Sequence, residues 1–143
     1  MLFKIVDGPI SEDELFKHVR ADEDGAVLTF AGVVRNHGNN QNTEYLTYEA
    51  YKPMAEREMA KIGTEVVKRW AVNDIGILHR VGRLEIGDIS VLIAVSSPHR
   101  GDGFTACQYA IDTLKQTVPI WKKEVSIGGE YWVEGPNSKT ATR

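Results

Sequence analysis

The amino-acid sequence predicts an α+β fold, in which two main helices pack on a largely antiparallel sheet. Several short segments are rich in β-branched and apolar residues, which is typical of strands. Two longer segments carry apolar residues three or four positions apart, the spacing of one face of a helix. Turns that contain glycine separate consecutive strands in the second half of the chain, which favours hairpin-like pairing.

The composition is that of one globular domain. The chain has 143 residues, 42% of them hydrophobic and 26% charged, enough to bury its own core. We expect this domain to span residues 1–135, followed by a flexible tail at 136–143. The net charge of −3 argues against a general nucleic-acid-binding surface. We expect no membrane association, because no apolar run reaches the roughly 20 residues that span a bilayer and no signal-peptide pattern opens the chain.

Two elements are predicted at the N-terminus. Residues 2–6 (LFKIV) form a short strand that ends at the turn Asp7-Gly8-Pro9. Residues 11–14 (SEDE) match a capping box, in which a serine and a glutamate three positions later satisfy backbone groups at the start of a helix. We expect this helix to direct three apolar side chains inward, those of Leu15, Phe16 and Val19.

A long apolar segment follows and opens into a polar loop. Residues 25–34 (GAVLTFAGVV) are apolar on both faces, which is typical of a central strand. Residues 35–44 (RNHGNNQNTE) are predicted to form a loop. The next strand, Tyr45–Tyr51, ends where Pro53 can occupy the first turn of a helix. The face of that helix predicted to be buried carries Ala55, Met59, Ile62, Val66 and Trp70.

The second half of the chain is predicted to contain four strands and one long helix. Strands at 75–81 and 89–97 flank a turn at Gly87-Asp88. The helix follows the segment SSPHRGDGF, and Pro119 ends it, because the residue before a proline is pushed out of the α region. Its predicted buried face carries Phe104, Cys107, Ile111, Leu114 and Val118. The last two strands, at 120–127 and 131–134, are separated by a glycine turn at 128–129.

Two groups of basic residues lie where strands end. Arg35 and His37 begin the polar loop, a usual position for functional groups on a rigid support. His99 and Arg100 precede a helix, where free backbone N–H groups and the helix dipole attract an anion and arginine adds a bidentate fork. The alternative in each case is an ordinary solvated side chain. For His99 and Arg100, the strand–loop–helix placement favours an anion site.

A third group of basic residues flanks Pro119 and consists of lysines. Lys115 lies beside Leu114 in the last helical turn, where a cation can simply stabilise the helix by about 0.3–1 kcal/mol. Lys122 and Lys123 alternate along the next strand, so one of them should face the packed side or a cleft. A lysine held near apolar surface can act as an acid, a base or a nucleophile. For Trp121 we expect a position in the core.

Several common catalytic patterns are missing from the sequence. His18 and His79 have no partner at a metal-ligand spacing. Gly101 and Gly103 form too short a pattern for a dinucleotide-binding loop. Cys107 is the only cysteine, which excludes an internal disulfide and suits a reducing cytoplasm. Its place on a buried helix face favours a core residue over a reactive thiol. We therefore expect neither a metal nor a cofactor.

Several motifs together resemble the large, catalytic subunit of molybdopterin synthase, the MoaE family. They run in order from Gly25 to Glu134: GAVLTFAGVVRNH, YEAY followed by PMAE, HRVGRLEIGD, VSSPHR, and LKQTVPIWKKE with a later YWVEG. The resemblance implies an α/β-hammerhead domain with an additional antiparallel sheet. It also implies a homodimer that binds one small ubiquitin-like sulfur-carrier subunit at each end, giving a heterotetramer.

The activity that this resemblance implies is sulfur transfer. Two sulfurs would pass from the Gly-Gly thiocarboxylate at the carrier's C-terminus to cyclic pyranopterin monophosphate, forming the dithiolene of molybdopterin. Lys115 and Lys122 match the family's essential lysines. The positions that match its substrate-binding and pocket residues are Arg35, His99, Arg100, Val33, Val34, Lys123 and Glu124. The residues themselves add one point: because Cys107 is expected to be buried, the sulfur must arrive from another chain.

The chain departs from the family's pattern at two places. A basic residue that reaches into the neighbouring subunit's site is expected just after the Trp-Val-Glu segment, but Gly135-Pro136 stands there. Lys139 or Arg143 could take its place. Ile111 occupies a position where some relatives carry methionine, a change that core packing tolerates.

Two other functions fit parts of the pattern. A non-catalytic binding module could use the same basic pocket to dock an acidic tail or a phosphorylated ligand. Such a module would need arginine and histidine more than a helix-flanking lysine. A phosphoryl-transfer enzyme fits less well, because the sequence has no phosphate-binding loop and no clear magnesium site. Turnover distinguishes the enzyme from the binding module.

Overall fold

The structure is a computed structural model that describes residues 1–38, 41–126 and 129–134. Its elements in chain order are β1 (Leu2–Val6), α1 (Glu12–Val19), β2 (Ala26–Val33), β3 (His37–Gly38), β4 (Gln41–Ala50), α2 (Lys52–Arg69), β5 (Asp74–Arg80), β6 (Gly82–Glu85), β7 (Ile89–Ser97), α3 (Arg100–Thr117), β8 (Ile120–Ser126) and β9 (Gly129–Glu134). The predicted α+β fold with two main helices is confirmed. The expected tail, which contains Lys139 and Arg143, lies outside the described residues.

Four strands form the first sheet, in the order β1-β5-β7-β2. β1 and β5 run parallel, and the other two pairs are antiparallel. Helices α2 and α3 cover one face of this sheet, where their apolar side chains join Ile77, Ile93 and Val95 in the main core. Helix α1 covers the opposite face, where Leu15 and its neighbours pack on Leu92. Because successive residues of β7 point to opposite faces, this strand contributes to both cores.

The second sheet is entirely antiparallel and confirms the additional sheet that the resemblance implies. Its strands follow the order β3-β4-β8-β9, and β6 also pairs with β4. Ile120 and Ala50 extend the main core from its inward face. A smaller apolar cluster of Val34, Leu46 and Leu84 lies farther along that face. No helix within the described ranges combines the length and apolar character needed to cross a membrane.

Local signals predicted the helix ends correctly. The Ser11 hydroxyl accepts a hydrogen bond from the Glu14 amide at 3.2 Å, as the capping box requires. Pro53 lies in the first turn of α2, and Val118 caps α3 immediately before Pro119. The face of α2 predicted to be buried is largely confirmed by Ala55, Met59, Ile62 and Val66, while Trp70 caps the helix and is partly buried.

Two phenylalanines predicted to face inward are instead exposed. Phe16 is 40% exposed and Phe104 is 61% exposed. In α3 the buried face begins with Gly103, where an added Cβ would lie 2.4 Å from Leu28 Cδ2. This close approach of α3 to β2 requires a residue without a side chain, so the helix turns its glycine to the sheet and Phe104 to the surface.

The predicted strands differ from the structure in three respects. The stretch predicted as a central strand is β2, which pairs only with β7 in the first sheet and lies at its edge. Its apolar side chains Leu28 and Phe30 pack under the helices, while Val33 is 54% exposed. The predicted polar loop is partly ordered as the β3–β4 hairpin, and β4 begins at Gln41 rather than Tyr45. The sequence analysis missed β6, whose only buried residue is Leu84.

Candidate functional site

Lys122 lies on the inward face of β8, between the buried residues Ile120 and Glu124. Both Lys122 and Lys123 are half-buried, and strand alternation puts Lys122 on the packed side, as predicted for one of the two. The cross-strand partner of Lys122 is Tyr48 of β4. Side chains directly opposite each other in antiparallel strands lie on the same face, with Cβ atoms about 4.5–5.5 Å apart. Tyr48 is therefore part of the immediate surroundings of Lys122.

A buried histidine lies behind Tyr48. The rings of Tyr48 and His79 meet edge to face, with centroids 4.9 Å apart, and His79 is only 4% exposed. The Nδ1 atom of His79 lies 2.9 Å from the carbonyl oxygen of Arg80. Because a carbonyl oxygen only accepts hydrogen bonds, Nδ1 carries the proton and Nε2 is the acceptor in the neutral ring. Neither Tyr48 nor His79 was predicted to belong to the site, because strand pairing brings Tyr48 to Lys122 and a contact between the two sheets brings His79 to Tyr48.

Lys123 lies on the opposite, outward face of β8. Its Nζ atom is 5.4 Å from the ring centroid of Trp132 on β9, a cation–π arrangement. Trp121 points the same way and is 40% exposed, so the prediction that it is a core residue is wrong. The physical reason is strand alternation, which gives the inward positions to Ile120 and Lys122. The structure does not bring Lys123 together with Lys122.

A series of hydrogen bonds connects Glu124 to the segment that carries Arg35. Glu124 is buried, and its carboxylate accepts a short hydrogen bond from the Thr43 hydroxyl. The Thr43 amide donates to the carbonyl oxygen of Asn36 at 2.9 Å. Arg35 precedes Asn36 and is exposed. His37 follows Asn36 and contacts its side chain through Nδ1 at 2.9 Å. Arg35 and Glu124 therefore belong to the same corner of the second sheet.

The two valines before Arg35 have different surroundings. Val34 is 3% exposed and packs with Leu46 and Leu84, and Leu46 is the cross-strand partner of Glu124. Val33 is on the surface. The Val34 side chain thus anchors the segment from below, on the face that also carries Glu124. Arg35 is the first exposed residue beyond that anchor.

Lys115 lies in the last turn of α3 and is half-buried. Its helical neighbours Ile111 and Leu114 belong to the main core, and so does Ile120, two residues before Lys122. Val118 and Pro119 join the end of α3 directly to the start of β8, and Leu114, Val118 and Ile120 belong to the same core cluster. Lys115 and Lys122 therefore both border it, one from the helix and one from the strand.

His99 and Arg100 lie at the opposite end of α3 and are exposed. His99 caps the helix with its backbone, and its side chain makes no capping hydrogen bond. Arg100 and Lys115 are separated by about 22 Å along the helix axis, at 1.5 Å for each residue. The pairing of β2 with β7 places Ala26 opposite Ser97 and Val33 opposite Ile89. Within one chain, the structure thus separates His99 and Arg100 from Lys115 and from Arg35.

Cys107 is 8% exposed and packs in the main core, which confirms the prediction made for it. Burial raises the pKa of its thiol to about 11. Because the thiolate is the nucleophilic form of cysteine, this side chain is poorly suited to carry sulfur. In the part of the chain that the structure describes, no three His, Cys, Asp or Glu side chains are grouped to hold a metal ion.

A cavity of about 260 Å³ between α2 and α3 lies outside this constellation. Its lining includes Glu58, Lys61, Glu65 and Tyr109. None of the basic residues singled out in the sequence contributes to it. This cavity therefore does not contribute to the basic constellation.

Comparison with known proteins identifies the family. The family model described as "MoaE protein" matches residues 5–117. The chain belongs to the MoaE family. A relative from Bacillus subtilis (strain 168) is 45% identical over 139 residues, which cover 97% of this chain and 88% of the relative. A relative from Staphylococcus aureus (strain COL) is 48% identical over 130 residues, covering 91% and 88%. Both relatives are named molybdopterin synthase catalytic subunit.

Solved structures of MoaE-family proteins have the same fold. A crystal structure of molybdopterin synthase from S. aureus superposes with a TM-score of 0.88 at 47% identity, covering 91% of this chain and 95% of that chain. The MoaE protein from Burkholderia ambifaria gives a TM-score of 0.79 at 32% identity, covering 97% and 93%. The family resemblance noted in the sequence is thus confirmed.

Proposed function

We propose that this chain is the catalytic subunit of a molybdopterin synthase. It would transfer two sulfurs from the C-terminal thiocarboxylate of a small carrier subunit to cyclic pyranopterin monophosphate. The observation that carries this proposal is the placement of Lys115 and Lys122, two half-buried lysines that border the same part of the core. Family membership and the names of the relatives support it.

The proposed roles of the two lysines follow from their chemistry. Lys115 holds the carrier's thiocarboxylate and polarises its carbonyl group while the sulfur attacks a carbon of the pterin side chain. This step forms a carbon–sulfur bond while the bond from the same carbon to an oxygen of the cyclic phosphate breaks, so the phosphate ring opens and carrier and substrate are left joined as a thioester. Water then cleaves the acyl–sulfur bond, which releases the carrier as a carboxylate and leaves the sulfur on the substrate. A second carrier repeats the cycle at the neighbouring carbon, where the oxygen substituent leaves as water.

Lys122 has the second proposed role, pairing with the substrate anion or acting as general acid when the cyclic phosphate opens. Arg35 lies at the same corner of the second sheet and would bind the phosphate with its bidentate fork. Lys122 faces inward opposite Tyr48, so its ammonium group is partly shielded from water. Electrostatic stabilisation by such a group is stronger than it would be in open solvent.

The state of Cys107 supports an external source of sulfur. It is the only cysteine of the chain, it is buried, and its thiol has a pKa raised to about 11. A sulfur donor must expose a nucleophilic or cleavable sulfur. The Cys107 thiol is buried and is a poor nucleophile. The proposal therefore assigns the transferred sulfur to the carrier.

The separation of the anion-binding residues supports a site shared by two copies of the chain. His99 and Arg100 lie about 22 Å from Lys115 along α3, so one phosphate group cannot contact both ends of this helix. A homodimer in which His99 and Arg100 of one copy approach Lys115 and Lys122 of the other would bring all four together. We include this arrangement in the proposal.

Single-turnover kinetics with thiocarboxylated carrier and cyclic pyranopterin monophosphate tests the roles of the lysines. Lys115→Ala and Lys122→Ala should each reduce the rate of dithiolene formation by about 10²–10³-fold. Lys115→Arg should restore stability but not the rate, because a wide fork replaces a compact ammonium. The double variant should lose far less than the product of the two single losses.

Lys68→Ala is the matched control, since Lys68 also lies in the last turn of an 18-residue helix. Lys115→Ala and Lys68→Ala should each lose at most about 1 kcal/mol of stability through the helix dipole. Of these two variants, only Lys115→Ala should lose activity. If a folded Lys115→Ala protein had a near-normal rate, Lys115 would only stabilise the end of the helix. A wild-type chain that binds both ligands without forming product would be a binding module instead.

Mixing two variants with impaired turnover at low substrate concentration tests the shared site. In a heterodimer of Lys115→Ala with Arg100→Ala, one site receives both defects and the other receives neither. Random exchange of subunits should therefore restore about a quarter of the wild-type activity. If both residues acted within the same chain, mixing would restore none.

A further inference from the structure

The backbone of Val34 is held on both sides by one tight turn. The Val34 amide donates a hydrogen bond to the carbonyl oxygen of Asp88 at 2.9 Å, and its own carbonyl oxygen accepts one from the Gly87 amide at 2.8 Å. The regular pairing of β2 with β7 is interrupted between Gly32 and Val33. Beyond that interruption, the contact with the turn fixes the direction in which the chain proceeds to Arg35.

The turn itself, residues 85–88, is closed by two further hydrogen bonds. The Asp88 amide donates to the carbonyl oxygen of Glu85 at 3.0 Å. The Glu85 amide donates to the Asp88 carboxylate at 2.8 Å. Gly87 has a φ of 90°, which suits the third position of a type II turn and is strained for any other residue. The Asp88 side chain therefore determines the shape of the surface that holds Val34.

A largely buried arginine stands behind that carboxylate. The Arg80 side chain is 17% exposed, and its Nη1 atom lies 3.4 Å from Asp88 Oδ2. Its Nε atom is buried and has no hydrogen-bond partner among the described residues. A guanidinium so poorly solvated is costly to leave without a counter-ion. Asp88 thus has two tasks, closing the turn and pairing with Arg80.

We propose that Arg80 and Asp88 are positioning residues for Arg35. Arg80 holds the Asp88 carboxylate, the carboxylate shapes the turn, and the turn holds Val34 through both of its backbone groups. Arg35 is the next residue, and its guanidinium is thereby presented to the substrate phosphate without itself contacting the turn. This inference rests on the role proposed above for Arg35.

The pair should affect substrate binding more than the chemical step. If Arg35 binds the phosphate equally in the ground state and in the transition state, disturbing its position raises KM and leaves kcat almost unchanged. A residue with only a structural role would lower the melting temperature without this selective effect. Hydrogen exchange of the Val34 amide supplies a readout that does not depend on activity.

The experiment compares Asp88→Asn, Arg80→Lys and Arg35→Ala with the wild-type chain, all with saturating thiocarboxylated carrier. Asp88→Asn retains an oxygen that can accept from the Glu85 amide but removes the charge that Arg80 needs. It should raise the KM for the pterin about tenfold, change kcat by no more than about twofold, and accelerate Val34 amide exchange about tenfold. Arg80→Lys retains the charge and should show a smaller rise in KM.

Arg83→Gln is the matched control. Arg83 lies on β6 directly before the turn and forms an exposed ion pair with the Glu85 carboxylate at 3.0 Å, whereas the turn uses only the backbone groups of Glu85. This variant should have a wild-type KM and wild-type exchange. The variants with altered kinetics must melt cooperatively, which shows that they are folded. If Asp88→Asn does not fold, Arg80→Lys is compared with the wild-type chain in KM and in Val34 exchange instead.

The outcomes separate this inference from the proposed function. If Arg35→Ala raises KM but Asp88→Asn changes neither KM nor Val34 exchange, the positioning role is wrong and the proposed function stands. If the Arg35→Ala chain turns over substrate with an unchanged KM, Arg35 does not bind the substrate. The positioning role proposed for Arg80 and Asp88 is then also wrong. A wild-type chain without turnover overturns both.

Discussion

Alkylation of Cys107 should be slow in the folded protein and should follow the ionisation of a buried thiol. Burial raises the pKa of this thiol from 9.0 to about 11. At pH 8 the folded protein therefore contains about 100-fold less thiolate than the unfolded chain, because each pH unit changes the ratio tenfold. Iodoacetamide labelling followed by mass spectrometry, with and without urea, measures this ratio. Native labelling within about threefold of the unfolded rate would contradict the raised pKa.

The same shift makes stability depend on pH in the alkaline range. Below about pH 9 the thiol is protonated in both states and burial has its full effect. Between about pH 9 and 11 the unfolded thiol ionises while the folded one does not, so stability falls by up to about 3 kcal/mol in total. Urea unfolding of the wild-type chain and of Cys107→Ala, compared across this range, isolates the contribution. If their stability difference did not change with pH, Cys107 would ionise freely in the folded state.

Three further predictions concern binding, assembly and packing. Arg100→Ala should weaken substrate binding without loss of stability, because Arg100 is exposed; unchanged binding and turnover would remove it from the site. The purified chain should sediment as a dimer and become a heterotetramer with two carriers, whereas a monomer at micromolar concentration would contradict the assembly proposed. Gly103→Ala should cost about 1–3 kcal/mol, because its Cβ would meet Leu28 and Ser97 at 2.4 and 2.8 Å. Gly101→Ala, with nothing within 4 Å, should instead be neutral or stabilising in thermal melts.

Features that depend on neighbouring residues in the chain were predictable from the sequence. The capping serine Ser11, the helix-starting Pro53 and the helix-ending Pro119 each act on backbone groups within a few positions. The spacing of apolar residues in α2 follows the same local geometry. These signals work because they need no knowledge of which elements meet in space.

Features that depend on partners distant in the chain were not predictable in this way. The apolar stretch of β2 is typical of a central strand, but in the order β1-β5-β7-β2 only β7 pairs with it, which places it at the sheet edge. Phe104 and Gly103 are adjacent, and only the close approach of α3 to Leu28 decides which of them faces the sheet. Trp121 is large and apolar, yet strand alternation gives the inward position to Lys122.

The candidate site also contains features that were predictable from the sequence and features that were not. Lys115 and Lys122 could be singled out from their positions beside apolar residues, and the family resemblance added their expected role. The contact of Tyr48 with His79 joins β4 of the second sheet to β5 of the first and gave no local signal. The separation of Arg100 from Lys115 follows from the length of α3. The proposed site shared by two copies of the chain rests on that separation.

Isotopic labelling of the transferred sulfur tests the central claim most directly. The carrier's thiocarboxylate is prepared with a heavy sulfur isotope, and the dithiolene product is analysed by mass spectrometry for the wild-type chain and for Cys107→Ala. If the carrier supplies the sulfur, both product sulfurs carry the label and the two proteins give the same product. Unlabelled sulfur in the product, or loss of product formation in a folded Cys107→Ala chain, would contradict it.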